Sequence, residues 1–578
     1  MKDTTEKHTG VWWKATAVYQ VYPRSFQDSN NDGIGDIQGI ISRLDYIRNL
    51  GFETICFSPF FESPQQDFGY DISDFTSIAS EYGDMDSVQR LIDEIHAKDM
   101  KIILDMVMNH TSEKHPWFRE SCSSRENPKR DWYIWRDGRK PGGQAPPNNW
   151  KSVVAGRGWH YHRETDQWYW ASFLPFQPDL NYRNPAVKKT MLDIVRFWLE
   201  RGVDGFRLDI FDALFKDADF RNNPAGLPLN RTPENESLLF QKRTRTCHHP
   251  DTFAFAKELR AVVDEYDDPP RFLVGEVSGT YDVLREYCGG EESDGLHTVF
   301  LFKALCAQMK ADVFRTLIEE FEEHFPEPFF PTWVFSNHDR IRRFSFIGED
   351  EQQAKLNAAL QFTVRGVPFT YYGEEIGMSQ GEIPFEEALD PVARRFSSLP
   401  RFFNNLLNRV THGAANRDGC RTPMQWNDSP HAGFCTETAD PWLPVNSDYL
   451  TKNVNAGKLR PDSLYNCYRR FLTARNENPA LQTGELELIP ANELPKQVLG
   501  YKRFFQDDSE QYFVFLNFSR EPQSVSVSVQ NPALIVSTIA NKKTDFVKTD
   551  TNNVTFSLEP YEGTVVRNAA RNTDPQYR

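Results

Sequence analysis

The sequence predicts an α/β protein built on a parallel (β/α)8 TIM barrel, and three observations carry that prediction. Eight short apolar runs recur along the chain, segments with apolar residues at helical spacing separate them, and polar residues cluster where the runs end. The runs cover residues 17–23, 54–60, 101–107, 205–210, 271–277, 297–303, 332–338 and 367–373. The helical patterns include residues 38–50 and 86–99. Eight such runs close most naturally into a barrel whose site lies at the C-terminal strand ends. Asp67, His110, Arg207, Asp209, Glu276, His338 and Asp339 all fall there.

Two regions depart from the alternation. The stretch after the third run, residues 111–180, is rich in Trp, Pro, Gly and Asn and too long for a connector, so it reads as an inserted subdomain. From about residue 484 alternating runs separated by Asn, Pro and Asp turns read as an antiparallel β-sandwich. The expected division is therefore barrel at 1–110, insert at 111–180, barrel again at 181–483 and sandwich at 484–578.

Composition narrows the partners. A net charge of −16 repels nucleic acid and anionic membrane, which argues against both. The first ten residues contain no apolar signal core, and no run reaches the length of a membrane span. Eight cysteines lie scattered without Cys-x-x-Cys spacing, as expected of reduced thiols in the cytoplasm. Aromatics make up 13% of the chain, enough for platforms under neutral rings such as sugars, although core packing uses the same residues.

The segment Asp204-Gly-Phe-Arg-Leu-Asp-Ile-Phe211 ends an apolar run on Arg207 and Asp209, which share one face of a strand. Arg207 would then keep Asp209 ionised and lower its pKa, as a carboxylate nucleophile needs; a purely structural ion pair is the alternative. Glu276 follows four apolar residues, where partial desolvation raises a carboxyl pKa towards that of a general acid. Asp105-Met-Val-Met-Asn109-His110 and Ser336-Asn-His338-Asp339 add polar groups at two further strand ends. His110 is either a ligand donor or a structural one. Asp28, Asn30, Asp32 and Asp36 alternate around Gly33, with the Ile34 carbonyl facing inward, in the manner of a calcium loop. The twelfth position is Gly39 rather than the Glu of an EF-hand, and a simple Asx-rich turn is the alternative.

Taken together, Asp105–His110, Gly205–Asp209, Gly275-Glu276 and Phe335–Asp339 resemble the four signature regions of the α-amylase family, glycoside hydrolase family 13. Gln177-Pro-Asp-Leu-Asn181 and Arg417-Asp-Gly-Cys-Arg-Thr-Pro-Met-Gln-Trp426 resemble stretches of its oligo-1,6-glucosidase subfamily. The resemblance implies a retaining, exo-acting α-glucosidase with Asp209 as nucleophile, Glu276 as acid/base and Asp339 as transition-state stabiliser. It implies that Asp67, Tyr70, His110, Arg207, His338 and Arg417 hold the terminal glucose, with Phe173 and Gln177 near the cleavage point and Arg421 as a substitute for Arg417. It also implies a structural Ca²⁺ or Mg²⁺ on Asp28, Asn30, Asp32, Ile34 and Asp36, no organic cofactor, and a monomer or weak homodimer.

Two departures stand out. The family's Asp-Asn-Gly-Tyr-Asp is Asp67-Phe-Gly-Tyr-Asp71 here, and Ile210 follows the nucleophile where α-1,6-preferring members carry Val. A bulky β-branched residue there points to α-1,6 or mixed linkages. A transglucosylase or isomerase acting on sucrose, maltose or trehalose would use the same carboxylates. A non-catalytic amylase-like partner subunit would lack them and carry an anchor.

Overall fold

A computed structural model describes residues 11–139, 143–154, 156–226, 237–238, 240–506, 510–529, 531–544, 546–548 and 553–568. The expected signal-free terminus, residues 1–10, and the final residues of the sandwich lie outside these. Eight parallel strands form the barrel: β1 (Val18–Val21), β2 (Thr54–Phe57), β3 (Lys101–Val107), β4 (Gly205–Asp209), β5 (Phe272–Gly275), β6 (Thr298–Val299), β7 (Thr332–Val334) and β8 (Val367–Tyr371). Their order in the sheet is β6-β5-β4-β3-β2-β1-β8-β7. The remaining seam is closed by threonines rather than by a ladder. Thr298 Oγ1 donates to the Phe330 carbonyl at 2.7 Å, and Thr332 Oγ1 donates to the Val299 carbonyl at 3.0 Å while accepting from Leu301 N.

All eight expected strands are present; the third keeps its expected bounds and the other seven are shorter. The sixth covers two residues instead of 297–303, because the chain turns into a 3-10 helix at Phe302–Cys306. The helix expected over 38–50 is two, Ile37–Ser42 and Leu44–Leu50, broken at Arg43 where φ is −112° and ψ 3°. The second expected helix runs Met85–His96; Asp84 caps it through the Ser87 amide, and its apolar face is Val88, Leu91, Ile92 and Ile95.

The insert holds a helix, Pro116–Ser123, and a three-stranded antiparallel sheet of Trp135–Arg136, Trp159–His162 and Gln167–Trp170. Trp150, Trp159, Trp168 and Trp170 pack as its core, since so small a sheet needs large side chains to bury enough apolar area. An isolated bridge between His110 and Asp179 ties the insert to the end of β3.

The C-terminal region is a sandwich of a five-stranded and a three-stranded antiparallel sheet. Val498, Phe513, Phe515 and Val566 of the first face Val525, Val527, Val554 and Phe556 of the second in one apolar cluster. The helix Glu351–Thr363 has nearly every residue buried, because the barrel covers one side and the sandwich the other. Arg503 crosses that junction and donates to the carbonyls of Thr363, Leu481, Gln482 and Gly484. Among the described residues no helix is long and apolar enough to cross a membrane.

Candidate active site

Strand register assembles the centre. Asp105 on β3 lies opposite Arg207 on β4, with Val107 opposite Asp209, and on the other side Gly275 of β5 lies opposite Leu208. Three carboxylates from three strands therefore converge on one guanidinium. Arg207 Nη1 donates to both oxygens of Asp105 at 2.8 Å and to Asp209 Oδ1 at 2.7 Å, while Nη2 donates to Glu276. Arg207 and Asp105 are almost fully buried; Glu276 is the most accessible of the four, its side chain 15% exposed.

The electrostatics correct one expectation. Arg207 does lower the pKa of Asp209, but burial outweighs it and, with Asp105 and Asp339 nearby, pushes Asp209 up to about 7. Burial likewise raises Glu276 to about 7 and Asp105 to about 6, against the opposing pull of Arg207. One positive charge cannot hold three buried carboxylates ionised, so near neutrality the cluster keeps a proton. Asp209 and Glu276 are raised alike, so that proton belongs to the pair.

A stability prediction follows. A carboxyl whose folded pKa lies above its unfolded value stabilises the fold below pH ~4 and loses that contribution as pH rises through about 7. Asp209→Asn removes one of the like charges, so thermal unfolding at pH 8 is expected ~2 °C or more above wild type, the gap narrowing at pH 4.5. An equal gap at both pH values would contradict the charge argument.

Directly after the nucleophile candidate, Ile210 sits at φ 42°, ψ 48°. A β-branched residue in this left-handed region is strained by ~1–3 kcal/mol and persists only where neighbours enforce it. Phe211 N donates to the Glu276 carbonyl at 3.0 Å and Glu276 N to the Leu208 carbonyl at 2.8 Å, stapling the tip of β4 to that of β5.

His338 and Tyr70 form the next layer. Their rings stack with centroids 5.2 Å apart; Tyr70 Oη donates to Asp105 Oδ2 at 2.9 Å and lies 2.6 Å from His338 Nε2. Burial lowers the His338 pKa against the opposing pull of Asp339. Asp339 takes Arg421 Nη2 at 2.9 Å and Arg417 Nη1 at 3.3 Å on Oδ1, with His338 Nε2 3.2 Å from Oδ2. Burial alone would raise its pKa, but these neighbours overcome that and hold it well below the carboxylate range.

Arg417 closes the far wall. Its Nη2 donates to Asp67 Oδ1 at 2.7 Å and to Asp390 Oδ1 at 2.8 Å, and Gln177 Nε2 reaches the other oxygen of Asp67 at 3.0 Å. His110 Nε2 donates to the Tyr70 carbonyl at 3.0 Å, and its ring lies 5.3 Å from that of Phe173. The structure thus gathers Asp67, Tyr70, His110, Gln177, Arg207, His338, Arg417 and Arg421 with the three carboxylates into one connected network, with Phe173 and Ile210 at its edge.

Asp105 and Asp390 complete this network without having been assigned roles from sequence. Asp105 opens a recognised motif and could have been found; Asp390 lies in a loop with no pattern to mark it. Lys216 Nζ, buried, bonds to Asn109 Oδ1 at 2.9 Å and to Asp179 at 2.5 Å, supporting the end of β3.

The Asp28–Asp36 loop lies after β1, apart from this network. Asp28 accepts from the amides of Asn30, Asn31 and Gly33, and Asp36 caps the helix Ile37–Ser42 through the Gly39 amide. Asp32 Oδ1 accepts from Ile34 N at 2.8 Å, and Asn30 Oδ1 from Asp32 N at 2.9 Å. Among the described residues no three His, Cys, Asp or Glu side chains gather as a metal centre. An ion here would need the Asn30 amide and Ile34 carbonyl oxygens alongside the carboxylates, a donor set that fits a hard cation.

Known proteins resemble this chain along most of its length. The alpha amylase catalytic-domain family model matches residues 20–484. A probable alpha-glucosidase of Rhizobium meliloti is 39% identical over 88% of this chain and 90% of its own. An oligo-1,6-glucosidase of Heyndrickxia coagulans is 35% identical over 91% and 95%. The crystal structure of an alpha-glucosyl transfer enzyme, XgtA, superposes with a TM-score of 0.84 at 34% identity, covering 97% of this chain and 100% of that one.

Proposed function

The chain belongs to the α-amylase family, glycoside hydrolase family 13, and on that premise we propose that it is a retaining, exo-acting α-glucosidase releasing glucose from short α-glucosides. The observation that carries this reading is the Arg207 guanidinium, which takes Asp209 on one nitrogen and Glu276 on the other. That sharing favours the ~5–5.5 Å carboxyl separation of retaining enzymes over the wider gap of inverting ones. Glu276 protonates the glycosidic oxygen as Asp209 attacks C1, forming a β-glucosyl ester; Glu276, now deprotonated, takes a proton from water, which hydrolyses the ester. Asp339, kept ionised by the His338 ring and its two arginines, stabilises the positive charge that develops on the sugar ring. The hydrogen bonds joining Arg417, Asp67 and Gln177 across one side of the site support exo action. Ile210 supports α-1,6 or mixed linkages.

The test is incubation with isomaltose, maltose, sucrose, trehalose and kojibiose, with products followed by chromatography. Free glucose from isomaltose is expected; no release from any of the five overturns the reading. A second reading, transfer of glucose to a sugar acceptor, draws on the likeness to a glucosyl transfer enzyme. Rearranged or longer products in place of free glucose would select it. Six of the eight cysteines are buried, and cysteines so scattered fit a reducing cytoplasm.

The loop at Asp28, Asn30, Asp32, Ile34 and Asp36 is proposed to hold Ca²⁺ or Mg²⁺ as a structural ion, fastening the β1 connection. Chelator treatment is expected to lower the unfolding midpoint by several degrees, with recovery on adding back Ca²⁺ or Mg²⁺. Asp32→Ala should unfold at the lower temperature with or without chelator. A midpoint indifferent to chelation would remove the ion from the account.

A further inference from the structure

Hydrogen-bond directions around His338 follow from a single starting point. The Asp105 carboxylate only accepts, and Arg207 already donates to both its oxygens, so Tyr70 must spend its hydroxyl proton on Asp105 Oδ2. The Tyr70 oxygen, 2.6 Å from His338 Nε2, must then accept from that nitrogen. A neutral imidazole that donates from Nε2 leaves Nδ1 bare and in need of a donor. Among the described residues one side chain reaches it: Gln20, on β1 inside the barrel, whose Nε2 lies 3.1 Å from His338 Nδ1. Gln20 is 8% exposed and takes no part in the proposed reaction.

We propose that Gln20 is a positioning residue that locks His338 in the Nε2–H tautomer, and through it orients Tyr70 and Asp339. With Nδ1 satisfied, the Nε2 proton points at the space between Tyr70 Oη and Asp339 Oδ2, 3.2 Å away. Without Gln20 the proton can move to Nδ1. Nε2 then presents a lone pair to the Asp339 carboxylate and to Tyr70, and both lose their fixed geometry.

The charged and titratable groups facing His338 are Asp339, Arg207, Arg421 and Tyr70, with the Tyr22 ring stacked at 6.0 Å. Those facing Glu276 are Arg207, Asp209, Asp339 and His338. Gln20→Glu places a carboxylate of the same shape against Nδ1 and favours the imidazolium. A positive ring close to Glu276 eases loss of its proton, so the alkaline limb of the rate profile should move to lower pH. Gln20→Met removes the donor without adding charge.

The kinetic arm rests on the glucosidase reading; the spectroscopic arm does not. In enzyme labelled with ¹⁵N-histidine, the His338 signals, identified by their loss in His338→Gln, should report a bare Nδ1 and a protonated Nε2. Gln20→Met should mix or reverse them, and Gln20→Glu should protonate both nitrogens. Gln20→Met should also lower kcat ~10- to 100-fold with KM within about threefold of wild type. A protonated Nδ1 in the wild type, or a Gln20→Met enzyme with unchanged nitrogen signals and kcat, overturns the proposal. Absence of glucose release by the wild type would sink the glucosidase reading and leave the nitrogen signals to decide this one.

Discussion

Asp209→Asn is expected to lose at least ~10⁴-fold in kcat on isomaltose while folding as the wild type does. The amide oxygen still accepts from Arg207 Nη1, which in the wild type lies 2.7 Å from Asp209 Oδ1, so the cluster keeps its shape. The amide cannot form the glucosyl ester. Binding is expected to survive, because Arg417, Asp67 and His338 are untouched; a KM or inhibitor Kd within a few-fold of wild type, with turnover gone, is the signature. Circular dichroism and the raised midpoint at pH 8 separate this from misfolding. Turnover within tenfold of wild type would remove Asp209 from the role.

Glu276→Gln carries the second largest effect, with a different signature because the residue acts twice. On natural disaccharides kcat should fall ~10³- to 10⁴-fold, since neither departure of the leaving sugar nor attack by water is assisted. An aryl glucoside with a good leaving group needs no proton in the first step, so a burst of released phenol should precede slow turnover. Azide needs no base, and its addition should restore the second step and yield the α-glucosyl azide. The wild-type rate should also fall above about pH 7, where the Glu276 proton is lost, because burial raises that carboxyl to about 7. That alkaline limb should be absent from the azide-rescued variant. A variant that hydrolyses disaccharides normally, or an aryl glucoside without a burst, would contradict the assignment.

Much of this was legible in the sequence. The eight strands announced themselves because a strand buried on both faces is a short apolar run. Asp209, Glu276 and Asp339 were legible because each ends such a run on a charge that burial must make expensive. Arg207 was legible as a partner of Asp209, since period two sets them on one face. What the sequence hid was how many groups share that partner. Arg207 also holds Asp105 and Glu276, and this depends on strand register between segments about 70 to 100 residues apart. The expected lowering of the Asp209 pKa failed because burial outweighs its share of that guanidinium. Asp390 and Gln20 were invisible for a related reason: Asp390 grips Arg417 through both carboxylate oxygens from 27 residues away, and Gln20 meets His338 through one atom from 318 residues away. The break at Arg43 and the shortened sixth strand were missed because apolar spacing continues across both.

The covalent step is the centre of the account, and trapping it is the most direct test. The enzyme would be treated with 5-fluoro-α-D-glucosyl fluoride, digested and mapped by mass spectrometry. A fluoroglucosyl adduct on the peptide spanning residues 205–211, located at Asp209, is the expected result. An adduct on any other residue, or inactivation with no adduct at all, would contradict it.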